Sequence, residues 1–350
     1  MSHITIEDLK SFCRESLINE GMNLQHADET ADVLTTTEAW GVHSHGVKNL
    51  YAYIRKGRAG GVDFGAVPEV VKEGVSYKVI DAHNSLGMVA SVFGMNQACG
   101  LAEKSGIGIS VVRNSCHFGA AGYYSNIAAR RGFIGLSMSN TDSNMSIPGT
   151  KGKTIGNNPF SYAAPSEKYP SVFLDIALSA VAALKVIQAN IDGRSIPDTW
   201  LANSEGIPTT DPGDFFRDGA LLPMAMHKGY GLAILVDILS AVLIGEPTSS
   251  DGVIPSWHLD LEVPNRVSHT FIALNPFLFR GNGISGDIEK MSSHIRSMPK
   301  AAGFERIYTP GEMEWERYFR AESYGIELPP DVEQSLRELS LDNGIQLKLM

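Results

Sequence analysis

Between Ile107 and Asp142 the chain runs from one apolar, β-branched stretch, Ile107 to Val112, to a second, Phe133 to Met138. In between lie a glycine-flanked histidine, His117 in SCHFG, and a segment with helical apolar spacing, Tyr123 to Arg131. Short apolar runs bounded by turn residues read as buried strands, and apolar residues three or four apart read as a helix. Run, turn, helix and run make a βαβ unit, which commits the chain to an α/β class. The unit sets His117 and Asp142 just beyond the carboxyl ends of its strands, the edge at which open α/β sheets bind ligands.

The remaining segments fit that class. Residues 5 to 39 read as two amphipathic helices, with Thr5 and Asp8 placed as a capping box on the first. They lead into GVHSHG, residues 41 to 46, followed by a helix from Asn49 to Lys56. Val70 to Asp81 alternates as strands, and Gly87 to Lys104 is helical. After the βαβ unit, a Gly/Asn/Pro loop from Pro148 runs into a strand, and Phe173 to Ile176 is a second, short one. Ser179 to Asn190 and the apolar Gly231 to Leu243 read as helices, Ser268 to Leu274 as a strand and Ile288 to Met298 as a helix. YTPGE, Tyr308 to Glu312, is a tight turn ahead of a helical tail. Three regions are expected: an N-terminal helical region (1–72) packing with the C-terminal tail, a central α/β region (73–265), and a strand plus helical region (266–350).

Lysine and arginine number 29 against 39 acidic residues, a net charge of −10, which disfavours partners bound through phosphate, such as nucleic acids, and anionic membranes. Three cysteines without paired spacing suit a reducing compartment. The opening MSHITIEDLKSF lacks a basic and then apolar segment, and the stretch Gly231 to Gly245 is short for a bilayer and contains Asp237. A cytoplasmic location is expected.

Several side chains are candidates for chemistry, each with a plainer role beside it. A neutral His117 could take the proton of a hydroxyl group as hydride leaves its carbon, or could simply bond loop carbonyls. Asp142 could orient that histidine or close an Asx-turn in NTDSN. Asp175 could accept from a ribose hydroxyl or cap the helix from Ser179. Lys228, in HKGYG at a helix start, could hold phosphate or lie free on the surface. His43 and His45 are spaced as half of a zinc site, but no further ligands lie at suitable spacing, so no metal is expected. GNGISG at 281 to 286 matches a dinucleotide fingerprint in letters only, because no clear parallel strand follows, and it reads as a surface loop.

Taken together, GVHSHGVKNL, SCHFG, ARRGFIGLSMSNTD, GNNPFSYAAP, LDIALSAVAALKV, IPDTW, GIPTTDP, HKGYGLAILVDILS and YTPGE resemble, in order, the malate/L-lactate dehydrogenase-like family of non-Rossmann oxidoreductases. IPDTW, GIPTTDP, ALLP and KGYG are most similar to its ureidoglycolate branch. The resemblance implies a non-Rossmann α/β fold with a mixed sheet and a helical region built from both termini. It implies a homodimer with the active site near the subunit interface, and a nicotinamide cofactor, NAD with NADP not excluded. It carries over His117 as proton acceptor, His45 as proton donor, and Thr141 with Asp142 beside nicotinamide and substrate. Asp175, Ile176 and Ala177, Lys228 and Gly229, and Pro310, Gly311 and Glu312 fall at cofactor-binding positions. Ser44, Lys48, Asn49, Tyr53 and Thr141 fall at substrate-binding ones. At Asn49 the family usually carries an arginine suited to a substrate carboxylate, and an amide lacks that bidentate fork. Lys48 is adjacent, but on a helix it points about 100° away.

The reaction implied is oxidation of a small 2-hydroxy acid, ureidoglycolate to oxalurate in the first place. The alternatives are reduction of a 2-oxo or cyclic imino acid, with Arg113 and Lys153 as loose readers of a 2′-phosphate, and a catalytically silent binding protein.

Overall fold

The computed structural model describes residues 2–350. A short strand β1 (His3–Ile4) opens into helices α1 (Ile6–Asn19), α2 (Leu24–Ala39) and α3 (Leu50–Arg58). Then come β2 (Glu69–Glu73), β3 (Tyr77–Asp81), α4 (Gly87–Ser105), β4 (Ile107–Ser115), α5 (Ala121–Arg130) and β5 (Ile134–Ser139). They are followed by β6 (Phe160–Pro165), β7 (Ser171–Ile176), α6 (Ala183–Ile191), the short strands β8 (Leu201–Ala202), β9 (Pro208–Thr209) and β10 (Ala220–Leu221), and α7 (His227–Ser240). The last elements are β11 (Val267–Leu274), α8 (Pro276–Arg280), α9 (Ser285–Ser297), α10 (Glu312–Tyr324), β12 (Ile326–Glu327) and α11 (Pro330–Asn343).

Seven strands form the main sheet in the order β2-β3-β4-β11-β5-β6-β7. One expectation needs correction here. β4, α5 and β5 do form a crossover with parallel strands, but the two strands are not neighbours. β11 lies between them, antiparallel to both. Its sequence VSHTFIAL is buried at nearly every position, as a central strand covered on both faces requires. Phe271 packs in the core under α4 and α5, whereas Thr270 hydroxyl donates to Leu239 O of α7 on the opposite face. At Gly135 of β5 a Cβ would sit 2.3 Å from Ser125 O, so the close approach of α5 depends on the absence of a side chain.

The direction of the strands decides what meets at one edge. β3 is parallel to β4, and β7 runs with β5 because two antiparallel pairings separate them. The carboxyl ends of β3, β4, β5 and β7 therefore share an edge. Since β11 runs the other way, the loop entering it arrives there too.

The termini pack together: β1 pairs with β12, Ser335 hydroxyl donates to Lys48 O at 2.9 Å, and Arg58 pairs with Asp342 at 2.5 Å. β2 crosses residue 72 and belongs to the sheet rather than to the helical region. The apolar run is longer than expected: His227 to Ile244 has the length and composition of a membrane span, with 33% of it buried. Its Asp237 points inward, accepting from Ser249 N at 2.9 Å and from the Ser249 hydroxyl.

Candidate active site

His117 follows the end of β4, two residues after Ser115, in the loop that opens α5. Its Nδ1 lies 2.6 Å from the Tyr53 hydroxyl, which α3 brings in from 64 residues upstream. His45, in the loop between α2 and α3, faces it with ring centroids 5.6 Å apart, and its own Nδ1 is 2.8 Å from the Ser44 hydroxyl. The indole of Trp257 closes the group. It stacks on His117 at 4.5 Å and 9° between planes, and on Tyr53 at 5.0 Å. Trp257 and the neighbouring His258 are absent from the sequence-based candidates. They sit in a loop without periodicity, and only the antiparallel entry of β11 carries them to this edge.

Burial governs the protonation states. Desolvation, then the nearby His45, His269 and His258, hold His117 well below the ordinary histidine value. Burial alone lowers His45. Tyr53 is pushed well above the ordinary phenol value by burial, with a contribution from Cys116, so it stays protonated at neutral pH. Two neutral imidazoles, each half-buried, and a fully buried neutral phenol thus share one space. Beneath them His269 bridges the Ser139 and Ser115 hydroxyls at 2.8 Å each and stacks on Phe118, tying β11 to both neighbours.

Asp142 is placed differently from the expected support of His117. Among the described residues the bond to His117 Nδ1 comes from Tyr53 instead. Burial raises the Asp142 carboxyl to about 6, against the opposing pull of its own backbone N–H and then of Lys153. Its neighbour Thr141 donates its N–H to Asn158 Oδ1 at 3.1 Å, and the loop also holds Asn144, whose Oδ1 is buried without a partner. Asn49 does not reach out for a ligand: its amide donates to Ser44 O at 2.8 Å and so shapes the His45 loop. Lys48 pairs with Asp331 of α11 at 2.6 Å. Arg113 is held by Asp81 at 3.1 Å and Glu246 at 3.4 Å, while Lys153 is exposed.

The cofactor candidates gather around the end of β7. Asp175 accepts from Gly122 N at 2.7 Å, so it caps the start of α5 rather than a helix from Ser179, and α6 begins only at Ala183. Burial raises its carboxyl to about 6 despite that bond. Ile176 and Ala177 lead to Leu178, whose carbonyl accepts from Met224 N at 2.8 Å. Met224 O in turn accepts from Gly229 N at 3.0 Å, which places the Lys228–Gly229 turn beside the β7 end, with Lys228 exposed. On the other flank, Phe173 N donates to Pro310 O at 3.2 Å. Gly311 has φ +82°, and a Cβ there would lie 2.3 Å from Phe173 Cδ1. Glu312 is engaged internally. Its carboxylate accepts from Thr309 N at 3.1 Å and pairs with Arg306 and, at 3.5 Å, with Arg296. Among the described residues no cluster of three or more potential metal ligands occurs.

A family model described as malate/L-lactate dehydrogenase matches residues 4–337. A protein of Escherichia coli (strain K12) named ureidoglycolate dehydrogenase (NAD(+)) is 33% identical over 342 residues, covering 97% of this chain and 96% of that one. A malate dehydrogenase from Pyrococcus horikoshii is 35% identical over 346 residues, covering 97% and 94%. The solved structure of sulfolactate dehydrogenase from Methanocaldococcus jannaschii is similar with a TM-score of 0.88 and 30% identity, over 99% of this chain and 98% of that one. The order of motifs, the mixed sheet and these full-length similarities agree: the chain belongs to the malate/L-lactate dehydrogenase family.

Proposed function

We propose that this protein is a nicotinamide-dependent dehydrogenase of a small 2-hydroxy acid, with ureidoglycolate as the first substrate to try. The observation that carries the reading is the hydrogen-bonded pair of buried Tyr53 and half-buried, neutral His117, faced by His45. The residues at the β7 end fit a dinucleotide. Asp175 is half-buried, and among the described residues it accepts one hydrogen bond and pairs with no cation, which leaves acceptor capacity for ribose hydroxyls. The unpartnered Asn144 Oδ1 suits a carboxamide N–H. Lys228, at the start of α7, would add positive charge to a helix N-terminus. A bound nicotinamide supplies the hydride acceptor.

The chain's own residues handle the proton. With the His117 proton on Nδ1 and shared with Tyr53, Nε2 is free to accept the substrate hydroxyl proton. With Tyr53 donating instead, Nε2–H faces a carbonyl oxygen. Because Tyr53 stays protonated, this second arrangement is available, and it supports operation as a reductase of 2-oxo or cyclic imino acids. His45, held by Ser44, is placed to polarise the same oxygen. Trp257 limits water on the other side. With Asn49 turned to Ser44, a substrate carboxylate meets no guanidinium fork at that position.

Leu232, Leu235, Ile238, Val242 and Leu243 leave large apolar surfaces exposed along and just beyond α7. A patch of this kind supports a homodimer, which brings this helix and the adjoining cofactor cluster close to the interface. The three free, buried cysteines suit the cytoplasm. The test follows NADH absorbance with ureidoglycolate, malate, lactate and sulfolactate, and with NADP in place of NAD. No turnover and no binding of either dinucleotide would refute the proposal, and light scattering tests the dimer.

A further inference from the structure

The Trp257 wall is fastened from behind. Trp257 lies in the connection between α7 and β11, where the chain braces itself: Asp260 carboxylate accepts from Ser256 N at 2.8 Å, and Asn265 amide donates to Pro255 O at 2.6 Å. The tie to the body of the protein is Lys56. Its Nζ donates to Asp260 O and to Val263 O, each at 2.8 Å, and the residue is fully buried. Among the described residues no carboxylate pairs with it. Asp260 lends its negative charge only from beyond contact distance, and an ammonium group held away from water without a carboxylate in contact is costly, so a lysine is an expensive way to fill that space. Lys56 sits three residues after Tyr53 on the same face of α3. One helix therefore gives a hydroxyl to His117 and an ammonium to the segment whose indole covers both rings.

We propose that Lys56 is a positioning residue: it pins the segment around Asp260 and Val263 to α3, so that Trp257 stays stacked on His117 and Tyr53. The inference rests on the dehydrogenase reading of the site. It also explains Gly61, where a Cβ would lie 2.1 Å from Leu261 O and 2.9 Å from Lys56 Nζ. A side chain there would push the pinned segment off.

Full-length Lys56→Met keeps most of the volume and removes the donors. Two readouts are needed. The first is the rate of chymotrypsin cleavage after Trp257 or the exposed Leu259, which reports whether the segment is pinned. The second is steady-state turnover, compared with Trp257→Ala and with the double variant. The expected result is faster cleavage, a kcat about 10- to 100-fold lower, a KM for the dinucleotide within about twofold, and a double variant no slower than the worse single one. Unchanged cleavage overturns the inference. So does a released segment with wild-type kcat, or losses that multiply in the double variant. Should Lys56→Met not fold, Gly61→Ala displaces the segment while keeping the ammonium and carries the same expectations. Wild-type protein that turns over no substrate sinks the dehydrogenase reading instead, and the cleavage rate still judges the pinning.

Discussion

Replacing Tyr53 by phenylalanine removes one oxygen from the centre of the site and little else. The ring is fully buried, and both of its stacking partners, Trp257 and His117, would still meet a six-membered ring. What disappears is the 2.6 Å contact to His117 Nδ1. Leaving a buried polar atom unpaired costs about 1–3 kcal/mol. At about 1.4 kcal/mol per factor of ten, that is roughly 5- to 150-fold in kcat/KM. The loss falls mainly on kcat. As His117 takes the proton it becomes an imidazolium, whose Nδ1–H leans on the phenol oxygen more than the neutral ring does. Initial rates from NADH absorbance give kcat and KM, and fluorescence titration gives the dinucleotide affinity, which stays within about twofold because Tyr53 is remote from the β7 cluster in the chain of contacts described above. A Phe variant whose kcat/KM stays within twofold of wild type would refute the role given to this hydrogen bond.

Other outcomes follow from the same geometry. His117 must be neutral to accept a proton, and burial followed by His45, His269 and His258 depresses its pKa, so the acidic limb of kcat/KM for oxidation lies below pH 6.5; a limb above 7 contradicts this. Asp175 has a pKa raised to about 6 by burial, so its contribution to stability is present below the unfolded carboxylate value and lost as pH rises through 6. Asp175→Asn therefore raises the Tm of the ligand-free protein at pH 8, by up to about 3 kcal/mol of stability, leaves pH 4 almost unchanged, and weakens dinucleotide binding. Gly311→Ala forces a side chain into left-handed backbone against Phe173 and costs about 1–3 kcal/mol, read as a lower midpoint in urea. Asn49→Arg restores a guanidinium near the His45 loop, and the KM falls for malate and for ureidoglycolate, which share the 2-hydroxy carboxylate; unchanged KM values place the substrate carboxylate elsewhere.

The elements of the sheet were largely legible from apolar runs and turn residues, and the β4–α5–β5 crossover falls within three residues of its expected bounds. The insertion of β11 was not. Hydrophobic periodicity records which faces are buried, not which strand lies next to which, and the partner comes from more than a hundred residues downstream. The histidines and Tyr53 could be named from motifs, yet their contacts could not, since the bond joining Tyr53 to His117 spans 64 residues. Asp142 and Asp175 stand at expected strand ends, but their hydrogen bonds depend on tertiary neighbours: Asp175 caps α5, and Tyr53 takes the place beside His117. Trp257 and Lys56 carried no local signal. An isolated indole in a loop and a lysine in a basic helix look like surface until the fold brings them together.

The central place of β11 also dictates when the protein can become active during synthesis. Both histidines, Tyr53 and Lys56 leave the ribosome early, and β4 and β5 can form their crossover around α5 soon after. Until residue 274 of 350 has been added, however, the facing edges of those two strands have no partner. Open apolar edges invite pairing with other chains, so this is the interval of greatest aggregation risk. The same late strand draws the Trp257 segment over His117, and a nascent chain therefore holds the reactive side chains long before it holds a covered site.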